Sequence, residues 1–268
     1  MPARLDRNRI IGINRRVWDA FAPDWRKWVD NIGLTAAFFR RGGVSFDSLD
    51  LYKHMQASRP QRKRIDALVR KLAGPVRGKK VLDLQCGEGE AALSWANLGA
   101  RVTGADLSAE RIALAREKAA AAGVRATYVR ADALRLPFKR RSFDLVYTGG
   151  GVVGWLPDLN PWARGIARVL KPGGRFLLFD FHPLLHCVKW RKGRPRLGGD
   201  YFDRGPKIYG RRSRWGAQVE SVWKLADIVS ALAGAGLKLA HMVELPIPGK
   251  RGRKTGLPHR VILLFEIS

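Results

Sequence analysis

Val81-Leu82-Asp83-Leu84-Gln85-Cys86-Gly87-Glu88-Gly89 is the stretch that decides the fold. A short apolar run of strand length enters a turn with two glycines, and residues 90–98 follow with helical spacing up to Gly99. A glycine just past a helix takes the left-handed conformation that ends it. The unit then repeats. Residues 101–105 form a second strand pattern ending at Asp106, and Ser108 caps a helix running to Ala122, which Gly123 stops. Residues 126–130, 143–147 and 175–181 read as three further strands, with a helix over 160–170 stopped by Lys171-Pro172-Gly173-Gly174. Strands alternating with helices predict parallel βαβ units in an α/β, doubly wound sheet. Such sheets bind ligands beyond the carboxyl ends of their strands. An amphipathic helix over 222–233 and two strands over 237–244 and 261–267 close the chain. The loop between those strands is too short for a helical crossover, so they pair antiparallel.

The 268 residues are 46% apolar and 27% charged, a globular composition. No apolar run approaches the roughly 18 residues of a membrane span. The basic residues 1–16 lead into no apolar segment, so no secretory leader is expected. Cys86 and Cys187 are the only cysteines and form no CxxC pair, which speaks against a disulfide framework and a zinc site. The chain reads as soluble and cytoplasmic. Its formal charge is +27. An excess of that size draws polyanions by steering and counterion release, or it is simply solvated surface.

Residues 1–77 read as a helical N-terminal extension, with Trp18, Trp25 and Trp28 at helical spacing. Ser58 and Gln61 form a capping-box pattern before a helix bearing Ile65, Leu68, Val69 and Leu72. This extension packs on the sheet or covers its ligand edge. Residues 78–268 form the core, interrupted by a basic insertion at about 186–216 whose glycines and prolines predict a long loop. Trp190, Tyr201, Phe202, Tyr209 and Trp215 are interleaved with its arginines and lysines. They suit stacking on a flat ligand, or they pin the insertion to the core.

Gly87-x-Gly89-x-x-Ala92, with Asp106 nineteen residues past Gly87, satisfies a dinucleotide fingerprint. A nicotinamide oxidoreductase is therefore one reading. Three features favour a cationic ligand over a pyrophosphate. Asp83 stands four residues before the glycine turn, and Asp132 follows the third strand, placed to accept from an adenine amino group. The acids Asp83, Glu88, Glu90, Asp106, Asp132 and Asp180 gather at strand ends in the least basic part of the chain. Structural explanations stand beside these: Glu88 and Glu90 as solvated side chains, Asp180 as a turn cap.

At these residues the sequence resembles the class I S-adenosylmethionine-dependent methyltransferases of bacterial stand-alone type. Val81 through Gly89 is similar to their glycine motif, Gly104-Ala105-Asp106-Leu107-Ser108 to their acidic loop, and Arg130-Ala131-Asp132-Ala133 to their adenine motif. Val169-Leu170-Lys171-Pro172-Gly173-Gly174 is similar to the turn before their fifth strand. The resemblance implies a Rossmann-like seven-stranded sheet of order 3-2-1-4-5-7-6 with strand 7 antiparallel, and S-adenosyl-L-methionine as cofactor. It implies Asp83, Gly87 and Gly89 near the methionine part, Asp106 on the ribose, Leu107 and Ala133 against adenine and Asp132 on its amino group. Thr148 and Gly149 would line the methyl-donor pocket. Glu90 departs from a family glycine, and Gly149-Gly150-Gly151 is an unusually flexible stretch. The Asn/Asp-Pro-Pro-Tyr motif of amino-methyltransferases is missing, which argues against exocyclic base nitrogens as acceptors.

A narrower likeness is carried by Leu84-Gln85-Cys86, by the run from Gly151 to Leu159 and by His182-Pro183. His182, on the ligand edge after the fifth strand, is the candidate base for an acceptor proton; a turn hydrogen bond is the structural alternative. His186 lies four residues on, but a third metal ligand is missing, so no metal is expected. Trp155 walls the acceptor pocket or belongs to the core. The expected function is methyl transfer to a small-molecule acceptor, anionic acceptors included. An RNA methyltransferase using the basic surface is the alternative, and an NAD(P)-dependent oxidoreductase stands third.

Overall fold

The computed structural model describes residues 6–46, 59–192, 194–203, 205–210, 213–248 and 254–268. Five parallel strands build the sheet: β1 (Lys80–Leu84), β2 (Arg101–Asp106), β3 (Thr127–Arg130), β4 (Phe143–Gly149) and β5 (Leu170–Phe181). Four helices connect or flank them: α4 (Glu90–Asn97) and α5 (Ala109–Ala122) on one side, α6 (Leu159–Val169) and α7 (Leu225–Gly234) on the other. Before them come α1 (Arg7–Asn31), α2 (Ala36–Arg40) and α3 (Arg59–Ala73). The capping pair expected at Ser58 and Gln61 lies outside the described residues. The chain closes with β10 (Leu237–Pro248) and β11 (Lys254–Ile267). β11 is antiparallel to both β5 and β10, so the order β3-β2-β1-β4-β5-β11-β10 is the one the resemblance implies. Both closing strands run longer than their apolar segments suggested. The Lys-Pro-Gly-Gly turn bulges inside β5, between its pairings of Leu170 with Phe143 and of Arg175 with Leu145.

Alternation along the central strands splits the core into two layers. Val81, Leu177, Phe179, Ile262 and Leu264 face α3, α4 and α5. Leu82, Leu84, Phe176, Leu178, Leu263 and Phe265 face α6 and α7. A sheet buried on both faces needs such continuous apolar runs.

The basic insertion is not a long loop. It forms a hairpin of β6 (Val188–Arg191) and β7 (Arg194–Leu197) and a second pair, β8 (Gly205–Tyr209) with β9 (Gln218–Val222). Alternation of cations with Val188 and Trp190 supplies the strand period that the glycines and prolines masked. Of its aromatics, two make the pinning contacts expected of them. The Trp215 indole N–H donates to Asp24 (2.7 Å), and the Tyr201 hydroxyl accepts the Leu225 N–H (3.1 Å), so both pin the insertion. Trp190 and Tyr209 turn toward a cavity, and Phe202 is 71% exposed.

Helix α1 lies across the ends of the strands. Its buried Asn14 amide donates to the Val219 carbonyl (2.7 Å) and accepts the Val219 N–H (2.9 Å), as a paired strand would. Asp19 accepts the Ser108 hydroxyl (2.6 Å) at the start of α5, and Arg26 forks onto Glu117 (2.7 and 3.0 Å). The exposed Arg26–Glu117 pair contributes little; the buried Asn14 contacts dominate. Asn14→Ala strands two buried backbone groups of Val219 and is expected to cost about 1–3 kcal/mol in denaturant unfolding. A loss indistinguishable from zero contradicts the account of how α1 is held.

Candidate active site

The turn after β1 is built from strained backbone. Gln85 has φ 59°, a left-handed conformation costly for a residue with a β-carbon. Its side-chain amide donates to the Val152 carbonyl (3.2 Å). Gly87 follows at φ 54°, and its N–H donates to Asp106 Oδ2 (2.9 Å). The other Asp106 oxygen accepts the Ser108 N–H (3.0 Å). One carboxylate thus joins the ends of β1 and β2.

A cavity of about 520 Å³ opens over these strand ends, within the usual range for small-ligand sites. Gly87, Asp106, Leu107, Asp132, Ala133, Gly149 and His182 all line it. Asp83, Gly89 and Thr148 stand behind the wall. Asp83 is 1% exposed, with Oδ2 unpartnered among the described residues. Burial, then the neighbouring Glu90 charge, hold its carboxyl well above the usual carboxylate range. Gly89 caps α4, and a β-carbon there would lie 2.5 Å from the Tyr128 hydroxyl, so close packing explains this glycine. The Thr148 hydroxyl donates to the Leu84 carbonyl (2.7 Å), tying β4 to β1.

The glycine run after β4 is clamped. Asp180 accepts the N–H groups of Val152 (3.0 Å) and Val153 (2.9 Å), the turn-capping role weighed for it in the sequence. Burial raises its pKa against those bonds. Glu88 and Glu90 are not solvated: both are buried beside Lys118, which pairs with Glu90 and lies 3.9 Å from Glu88. Burial and the Glu90 charge push Glu88 up to about 8. Burial likewise raises the Cys86 thiol, keeping it protonated and unreactive.

His182 is on the cavity wall, with one hydrogen bond at Nδ1 and a close carboxylate contact at Nε2. The Leu184 N–H donates to Nδ1 (3.1 Å), and Nε2 lies 2.8 Å from Glu244 Oε1. Nδ1 as acceptor puts the ring proton on Nε2, so the ring as folded presents no free lone pair to an acceptor. Burial lowers its pKa against the pull of Glu244. The outer cavity is aromatic, with Trp18, Trp155, Trp190, Tyr209 and Trp223 on its walls, beside His186 and Glu220. Trp155 meets Trp18 edge-on at 4.6 Å, so it is cavity wall and contact to the roof together. Burial lifts Glu220 above the usual carboxylate range.

Sequence reasoning missed Trp18 and Arg111 as wall residues, and the Asn14 and Glu220 contributions. A signal existed for Arg111: residues 111, 115, 118 and 122 form a buried stripe of α5, two cations among alanines.

A family model described as a methyltransferase domain matches residues 81–174. The malonyl-[acyl-carrier protein] O-methyltransferase of Pseudescherichia vulneris is 37% identical over 83% of this chain and 87% of its own length. The chain belongs to the S-adenosylmethionine-dependent methyltransferases. The demethylmenaquinone methyltransferase of Thermus thermophilus is 37% identical over 45% of this chain and 59% of its own, so the chain spans little more than half of that relative. The solved structure of an S-adenosylmethionine-dependent methyltransferase from Mesorhizobium loti superposes at TM-score 0.64, with 25% identity over 75% of this chain and 96% of that one. The methyl donor of this methyltransferase family, S-adenosylmethionine, fits the inner cavity. Asp106 and Asp132 put carboxylates on the cavity wall, and a β-carbon at Gly87 would fill the cradle, 2.8 Å from Arg111 Nη2.

Glu88 supplies a check on these electrostatics. Its folded pKa lies above its ordinary 4.5, so the native state holds the extra proton. Stability from this group is full below pH about 4.5 and lost as pH rises through about 8. Melting curves at pH 6 and 8.5 are expected to show a smaller drop for Glu88→Gln than for the parent. Equal drops contradict the buried-acid assignment.

Proposed function

We propose that the protein transfers a methyl group to a small-molecule acceptor held in the outer, aromatic part of the cavity. One observation carries this reading: a single cavity joins the donor-motif residues Gly87, Asp106, Leu107, Asp132 and Ala133 to a chamber walled by Trp155, Trp190 and Trp223. Helix α1 and the hairpins of the insertion roof that chamber, so the segment before β1 serves as a cap. Bound S-adenosylmethionine supplies a methyl carbon already activated by its sulfonium. What remains for the chain is alignment, a large part of the rate in such displacements. In this reading Asp106 accepts from ribose hydroxyls, Asp132 from the adenine amino group, and Leu107 and Ala133 pack on the ring. Asp83, Gly89 and Thr148 support that wall from behind. The indoles exclude water.

Where the acceptor must lose a proton, His182 holds the turn after β5 and a neighbour takes the proton. His186 and Glu220 line the chamber, and the raised pKa of Glu220 brings a carboxylate base nearer neutrality. The names of the two relatives, a malonyl-[acyl-carrier protein] O-methyltransferase and a demethylmenaquinone methyltransferase, point to acceptors other than nucleic acid. The +27 charge is what favours RNA instead.

Thermal shift separates the cofactors. S-adenosylhomocysteine at a hundred times its Kd is expected to stabilise the fold by about 2.7 kcal/mol, with no shift from NAD. Stabilisation by NAD alone contradicts the reading. Filter binding of bulk RNA across a salt series tests the acceptor: steep, salt-dependent binding with stable methyl incorporation into RNA overturns the small-molecule assignment.

A further inference from the structure

Arg111, in the first turn of α5, is 8% exposed and lines the cavity. Its guanidinium lies in the corner of two nearly perpendicular indoles of α1, with Cζ 4.6 Å from the Trp18 ring centre and 5.1 Å from that of Trp25. It also lies against the glycine turn, its Nη2 2.8 Å from where a Gly87 β-carbon would stand. Among the described residues it has no carboxylate within ion-pairing distance and donates no hydrogen bond, and its buried Nε is unpartnered. The contrast with Lys118, two turns along the same buried stripe, is direct. Lys118 pairs with Glu90 and lies 3.9 Å from Glu88, whereas the Arg111 charge reaches Glu88 only through space, without an ion pair.

A buried guanidinium without an ion-pair partner is expensive. The two indoles offset part of that cost and wall the guanidinium in on two sides. A fork so held matches a carboxylate through two parallel hydrogen bonds. We propose that Arg111 is the receptor for a carboxylate of a ligand bound in this cavity. The inference rests on the methyltransferase reading above. Two ligands there carry this chemistry: the amino-acid end of the donor, which its place beside Gly87 favours, and an anionic acceptor.

Calorimetric titrations distinguish them. S-adenosylhomocysteine carries the amino-acid carboxylate, and 5′-methylthioadenosine lacks the whole amino-acid end. In Arg111→Met the first ligand is expected to bind about 10- to 100-fold more weakly, the loss of a charge-assisted contact. The second should bind as in the parent. If instead both nucleosides bind normally, the acceptor source predicts that malonate, at constant ionic strength with S-adenosylhomocysteine present, raises the parent's Tm and not the variant's. Arg111→Lys keeps the charge without the fork; it should fold like the parent and lose the same selectivity in part. Equal weakening of both nucleosides in both variants means a merely structural arginine and overturns the proposal. So does unchanged selectivity together with an unchanged malonate response. Failure of the parent protein to bind either nucleoside refutes the underlying reading, and the proposal with it.

Discussion

A single carboxylate connects the floor of the cavity to its roof. Asp106 accepts the N–H of Gly87 on one oxygen and that of Ser108 on the other. Ser108 in turn caps α5 through the Arg111 N–H and donates its hydroxyl to Asp19 of α1. The glycine turn, the second strand, the start of α5 and the covering helix therefore share one chain of hydrogen bonds. Asp106 stays on the cavity wall while making them. A charge-assisted acceptor satisfied by two backbone donors is pre-organised. A ligand hydroxyl meeting it need not reorganise the protein.

The cover is a second constraint. Beyond the Ser108–Asp19 bond, α1 is held by the paired Asn14 amide and by Trp215, which meets Phe21 at 4.6 Å. It presents Trp18 and Trp25 to the interior. The insertion contributes the other walls, with Trp190 and Tyr209 facing inward while Lys189, Arg191, Arg194 and Arg196 face outward. These four cations of the insertion therefore lie on the outer side of a wall whose inner side is aromatic and acidic. This separation lets a very basic protein keep a site suited to a cationic ligand.

The sheet was legible because its strands and helices carry different hydrophobic periods, punctuated by Gly99, Gly123 and the Lys-Pro-Gly-Gly turn. The order of the last two strands came from the resemblance. The hairpins of the insertion were not legible: Pro195, Pro206 and several glycines read as loop, while edge pairs tolerate them. In the site, the motif residues at strand ends reach the cavity, whereas Asp83 is buried behind the wall and the Thr148 hydroxyl is taken up by the Leu84 carbonyl. Spacing alone does not say which face a ligand takes. Asp180 was legible as a turn cap, and the bond from the Leu184 N–H to His182 is the turn hydrogen bond that the sequence offered as the alternative to a catalytic base, whereas the Glu244 contact comes from a distant strand and was not legible. Arg111 lay unread because its partners, Trp18 and Trp25, are some ninety residues away.

The most direct measurement is the affinity of S-adenosylhomocysteine for Asp106→Asn, by calorimetry, with circular dichroism confirming the fold. The amide keeps the size of the side chain, removes the charge proposed to meet the donor, and leaves one of the two backbone N–H groups without its acceptor. Binding weakened about tenfold or more, the scale of one lost charge-assisted contact, is the predicted result. An affinity equal to that of the parent would contradict the account.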